Sequence, residues 1–157
     1  VSSRGKRAGF LNVCSDGASR GNPGPAGAGG MARDESGRVL ARVSDFLGVT
    51  TNNVAEYVAL IRILEESCGL GYENVRITLD SDLVVNQVRG GFKVKSKSLA
   101  PLLSRVKSLL STYRVVEVEH IPREKNTECD GLANEAIDDG LAGRKQPVIQ
   151  DELETLF

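Results

Sequence analysis

The stretch Asp16-Gly17-Ala18-Ser19-Arg20-Gly21-Asn22-Pro23-Gly24 closes a run in which Phe10, Asn12, Cys14 and Asp16 alternate with Leu11, Val13 and Ser15. That alternation is the period of a strand, whose successive side chains point to opposite faces. The pattern stops at Gly17, which predicts a strand ending in aspartate and then a tight loop built on Gly21, Pro23 and Gly24. A loop so poor in side chains lets a polymer backbone approach closely. The aspartate is either surface punctuation or the first member of a charged site, and its meaning depends on what the rest of the chain brings to it.

Two further strands follow, over 26–33 and 38–48, joined by the polar connection Asp34-Glu35-Ser36-Gly37. At Thr50-Thr51-Asn52-Asn53 the pattern changes to that of a helix, which runs to about Ser67. Glu56 shares the i, i+4, i+7 spacing of Leu60 and Ile63, so this carboxylate points along an apolar face. It either satisfies amides at the helix start, as in a capping box, or holds a cation. Residues 74–80 alternate again and end in Asp80; Ser81 then caps a helix that stops at Gly90-Gly91. A helix with Pro101 in its first turn, a strand over 114–121, and a helix over 127–139 with Asp130 near its start complete the reading. The strand-helix-strand order around the first helix predicts a mixed sheet covered by helices.

With 157 residues, 40% hydrophobic and 26% charged, the chain suits a single folded unit. Its net charge of -1 excludes a grip on nucleic acid by overall charge, so any such grip is local. Arg89, Lys93, Lys95, Lys97, Arg105 and Lys107 form an acid-free segment, readable as a solvated face or as a phosphate-tracking footprint. Cys14, Cys68 and Cys129 lack zinc-site spacing and are expected as buried, reduced thiols. No apolar run is long enough to span a membrane, which sets the expectation of a cytoplasmic protein. The expected division is a basic stub over 1–9, a catalytic domain over 10–140 and a tail over 141–157.

Asp16, Glu56, Asp80 and Asp130 all fall near the ends of elements. Carboxylates gathered without matching cations raise one another's pKa, so a cluster of them normally holds divalent metal. Magnesium, which prefers oxygen ligands and is often completed by phosphate, suits such a set. Spacing alone does not bring the four together.

The segments Asp16 to Gly24, Thr50 to Glu56, Asp80-Ser81 and Asn126 to Ala133, in this order, resemble the motif series of type 1 ribonuclease H over residues 10–139. The resemblance implies an α/β ribonuclease H-like fold: a five-stranded mixed sheet, three antiparallel strands and then parallel additions, flanked by helices. It implies hydrolysis of the RNA strand of RNA/DNA hybrids with two Mg2+ ions, Mn2+ being a substitute. Asp16, Glu56, Asp80 and Asp130 become the catalytic metal-binding acids. Asn22, Asn52, Asn53 and Ser19 match contacts to the hybrid's minor groove, Thr51 a DNA-strand phosphate pocket, and Ser81 a support for that region. Helix capping is the alternative for the Asn pair, compatible with binding.

Asp82 stands where many relatives carry glutamine, and the segment between the second and third helices is too short for the basic, Trp-rich handle of some relatives. Lys93, Lys95 and Lys97 are expected to replace it in part, and the chain resembles the handle-less prokaryotic members, some of which act more broadly on RNA duplexes. His120 is either a proton shuttle or a structural histidine at a strand end, with Arg123 the competing loop contact. The tail Gln150-Asp151-Glu152-Leu153-Glu154-Thr155-Leu156-Phe157 resembles a sliding-clamp peptide, against the plainer reading of a frayed or packed terminus. Competing readings of the whole are a hybrid-binding module without cleavage and a ribonuclease H domain of a reverse transcriptase. Nucleotide binding by the Gly-rich loop is disfavoured, because no Gly-Lys-Ser/Thr follows it.

Overall fold

Strand β1 (Arg7–Ser19) is the middle of a five-stranded sheet ordered β3-β2-β1-β4-β5. The computed structural model describes residues 6–90 and 96–148, so Lys93, Lys95 and the 150–157 peptide lie outside the described residues. Strands β2 (Gly24–Arg33) and β3 (Val39–Thr50) pair antiparallel, as hairpin connections require, and β4 (Tyr72–Leu79) and β5 (Val115–His120) add in parallel. The helices are α1 (Asn52–Ser67), α2 (Asp82–Arg89), α3 (Ala100–Leu110) and α4 (Thr127–Leu141). None of the described helices is long and apolar enough to cross a membrane.

Glycines in β2 decide how closely the helices approach. A Cβ at Gly30 would lie 2.8 Å from Ile63 of α1, and one at Gly29 would lie 2.1 Å from the Cys129 carbonyl oxygen of α4. Neighbouring strand residues face opposite ways, so α1 and α4 cover opposite faces of the sheet. Gly29 pairs with Asp16 across the ladder, which sets the start of α4 beside that aspartate. Leu11, Val13, Ile63, Val75 and Ile77 are fully or nearly fully buried in the core on the α1 side. Burial of such side chains contributes roughly 1.5–3 kcal/mol each.

Two expectations about the strand are corrected. β1 does not stop at Gly17; its pairing with β2 continues to Ser19↔Ala26. Its parallel pairing with β4 ends at Cys14↔Thr78, so Asp16 lies within a strand but past the last residue joined to β4. Gly17 is there because α1 packs on it, since a Cβ would sit 2.2 Å from the Ala55 carbonyl carbon. β1 also begins at Arg7, inside the expected stub, with Arg7 N donating to Gly71 O at 2.7 Å.

Beyond α4 the chain folds back along the sheet edge, where Val148 N donates to Phe46 O at 2.9 Å and Lys145 Nζ to Ser44 O at 2.7 Å. Covering an edge strand in this way removes a surface on which another chain can pair. The thiols divide: Cys129 is buried and Cys14 part-buried, but Cys68 is exposed, because it opens the turn after α1 instead of facing the core. Part of the basic segment serves the fold. Arg89 donates to Val118 O and Arg105 pairs with Glu65 at 2.9 Å.

Candidate active site

Asp16 is buried, while Glu56 and Asp80 are half-buried, and one carboxylate oxygen from each lies within 4.8 Å of the others. Three elements deliver them: β1 past its junction with β4, the first turns of α1, and the residue after β4. The capping-box reading of Glu56 is corrected. Thr51 caps α1 by accepting from Val54 N at 3.3 Å, whereas the amide donating to Glu56 Oε1 is that of Gly17 in β1. The glutamate thus ties the helix start to the strand carrying Asp16. Asp130, from the first turn of α4, lines the same cleft of about 310 Å³ but stands outside the tight trio.

The electrostatics suit a cation. Burial pushes the Asp16 carboxyl far above its usual range, and hydrogen bonding and repulsion from Glu56, with Asp80 behind it, push the same way. Burial also raises Glu56, against opposing hydrogen bonds from Asp16 and Gly17. Crowded acids raised in this way are the arrangement that positive charge relieves. The donor set is entirely carboxylate oxygen, the chemistry of a hard divalent cation.

Other predicted residues divide by what their side chains do. Asn52, Asn53, Ser19, Ser81 and Arg123 line the cleft. Asn22 Oδ1 accepts from Asn52 N at 3.0 Å, joining the β1–β2 loop to the start of α1. Ser19 Oγ donates to Thr50 O at 3.0 Å, and Ser81 Oγ caps α2 by accepting from Val84 N at 3.3 Å. His120 sits at the end of β5, its Nε2 3.2 Å from the backbone oxygen of Asp80 and 3.5 Å from Asp82 Oδ1.

One site residue lies inside a matched motif but is not among the expected site residues. Asn126, just before α4, is 3% exposed, and its Nδ2 donates to Ser15 O at 2.9 Å and to Asp80 Oδ2 at 3.0 Å. A single amide thereby joins β1, the acid after β4 and the start of α4. In the sequence it only opens the Asn126 to Ala133 motif, with no role of its own assigned. Asn126→Ala leaves a buried carbonyl and a carboxylate oxygen without this donor, an expected loss of about 2–3 kcal/mol in stability. Chemical denaturation of the two proteins measures it, and an unchanged unfolding midpoint contradicts it.

Carboxylates meeting past the joined part of the central parallel strands, on a sheet ordered β3-β2-β1-β4-β5, define a ribonuclease H-like nuclease. The reverse transcriptase-like family profile matches residues 14–136. Ribonuclease HI of Halobacterium salinarum is 39% identical over 133 residues, covering 85% of this chain and 67% of that protein. This chain belongs to the ribonuclease HI family. The bifunctional protein Rv2228c of Mycobacterium tuberculosis is 44% identical over 124 residues, 78% of this chain; the chain spans only 34% of that longer relative. Among solved structures, LC11-RNase H1 in complex with RNA/DNA hybrid matches with a TM-score of 0.79 at 42% identity, covering 83% of this chain and 99% of that one.

Proposed function

We propose that this protein is an endoribonuclease that hydrolyses the RNA strand of RNA/DNA hybrids, leaving 5'-phosphate and 3'-hydroxyl ends. The observation that carries this reading is the trio of carboxylate oxygens within 4.8 Å, an all-oxygen donor set of crowded acids in one cleft. Asp16 and Asp80 are the central ligands, Glu56 a ligand that also orients the ribose, and Asp130 the ligand of a second ion. Mg2+, with Mn2+ as substitute, would supply Lewis-acid stabilisation of the phosphodiester and a nucleophile from water at neutral pH.

The chain's own residues account for substrate placement. Asn22 Oδ1 is occupied by the Asn52 amide, which leaves its Nδ2 as a donor for a ribose hydroxyl or base edge in the minor groove. Asn52, Asn53 and Ser19 extend that rim. Thr51 and Ser81 cap helices whose N-terminal ends favour phosphate by their backbone amides and dipoles. Arg123 offers positive charge inside the cleft, and Lys93 and Lys95 are candidate phosphate contacts on the charge of their segment alone. The bond to the Asp80 backbone favours His120 as an anchor of that acid over a proton shuttle. Double-stranded RNA is a second substrate candidate, the 150–157 peptide a candidate clamp ligand, and the cytoplasm the proposed place of action.

The test is cleavage of labelled RNA/DNA hybrid, double-stranded RNA and double-stranded DNA, each with magnesium, manganese or chelator. The hybrid should be cut with either metal and spared with chelator, and duplex DNA spared throughout. Hybrid that is bound but uncut under every metal condition would overturn the reading in favour of a binding module. Including His120→Ala in the same series separates anchor from shuttle, since only loss of a shuttle reshapes the pH–rate profile.

A further inference from the structure

We propose that Asn134, oriented by Arg20, is the positioning residue that sets the carboxylate of Asp130. The inference rests on the placement of Asp130 at the metal site given above. Asp130 is the acid outside the tight trio, so its contribution depends on where its own neighbours hold its side chain. Asn134 lies one turn on, on the same face of α4, and its Nδ2 donates to Asp130 O at 3.0 Å and to Asp130 Oδ1 at 3.3 Å.

A side-chain amide has a donor end and an acceptor end, and something must choose which faces the acid. Arg20 makes that choice. A guanidinium has donors only, and Arg20 NH2 donates to Asn134 Oδ1 and Asn134 O, both at 3.3 Å. The acceptor end is thereby taken and Nδ2 is turned to Asp130. Arg20 is itself held by Asp138, whose Oδ1 lies 2.8 Å from its NH1. Its charge therefore meets α4, with the guanidinium laid along the face that carries 130, 134 and 138. Because Arg20 sits in the loop after β1, the strand that bears Asp16 and the helix that bears Asp130 are joined outside the cleft as well as within it. The amide thus engages Asp130 Oδ1 and fixes the carboxylate that faces Asp16 in the cleft. Partners that orient a metal ligand in this way typically change activity or metal affinity about 10–100-fold when removed.

The test uses the full chain, with Asn134→Leu, Asn134→Asp and Arg20→Ala compared with Asp130→Asn and the unaltered protein. Hybrid cleavage is followed across magnesium concentrations, with melting temperature measured alongside. Asn134→Leu removes the donor without adding charge, whereas Asn134→Asp keeps an acceptor for Arg20 but sets a second carboxylate one turn from Asp130. The loss that reports the proposed bond is therefore the one seen in Asn134→Leu with unchanged melting. The expected result is kcat lowered about tenfold or more in both Asn134 variants, KM for hybrid unchanged, and more magnesium needed for half-maximal rate. Arg20→Ala should show part of that loss and add nothing to Asn134→Leu. Unaltered kcat and magnesium requirement in both Asn134 variants, with Asp130→Asn impaired, overturns the positioning role alone. Asp130→Asn that cleaves like the unaltered protein removes the underlying assignment of Asp130 instead.

Discussion

Asp16→Asn should abolish hybrid cleavage, by about a thousandfold or more, and at the same time stabilise the metal-free protein. The first effect corresponds to about 4 kcal/mol of transition-state stabilisation, reasonable for the acid most crowded by the others. The second follows from the same crowding. Burial, followed by hydrogen bonding and repulsion from Glu56, raises the folded-state pKa of Asp16, and burial raises that of Glu56. A carboxyl raised in this way keeps its proton in the fold after the unfolded chain has lost it. Its contribution to stability is therefore full below the ordinary carboxylate range and is lost as the pH climbs through the raised values. Melting curves in chelator from about pH 5 to about pH 9 should show stability falling with pH, and a shallower fall in Asp16→Asn. Equal slopes in the two proteins would show that Asp16 does not carry the strain, whatever becomes of activity.

Gly17→Ala should lose most of its stability and activity together, although it adds one methyl group. The new Cβ would stand 2.2 Å from the Ala55 carbonyl carbon and 2.3 Å from the Glu56 nitrogen, both backbone atoms of α1 that no rotamer change can move. Overpacking of a tight contact costs typically 1–3 kcal/mol, and a backbone clash belongs at the upper end or beyond. Because Gly17 N also donates to Glu56, a shift of α1 that relieves the clash moves the Glu56 carboxylate out of the trio. Gly69→Ala is the control, since its Cβ would have nothing within 4 Å. Melting temperature and hybrid cleavage of the pair measure the effect. If Gly17→Ala behaves like Gly69→Ala, the close approach of α1 to β1 is not what holds Glu56 in place.

The elements were largely legible because their periods are local. Alternation over 10–16 and 74–80 marked β1 and β4, and Thr51 and Ser81 fill the capping positions expected of them. The end of β1 was misread for a physical reason: a glycine read as a break is, at position 17, the space into which α1 fits. Cys68 was misplaced because a thiol's burial depends on whether the helix continues or turns under it. Asn126 lies in a motif and Asn134 just beyond it, but the roles of both were hidden, since their partners Ser15, Asp80 and Arg20 lie far away in the chain.

By itself, the sequence determined that Asp16, Glu56, Asp80 and Asp130 occupy positions near element ends, because residue type and period are properties of neighbours along the chain. Only the tertiary structure decided that three of these acids meet within 4.8 Å and that the fourth, Asp130, lines the same cleft beside Asp16. Strand pairing and glycine-lined helix contacts set those distances, and they act between residues that the chain keeps far from one another.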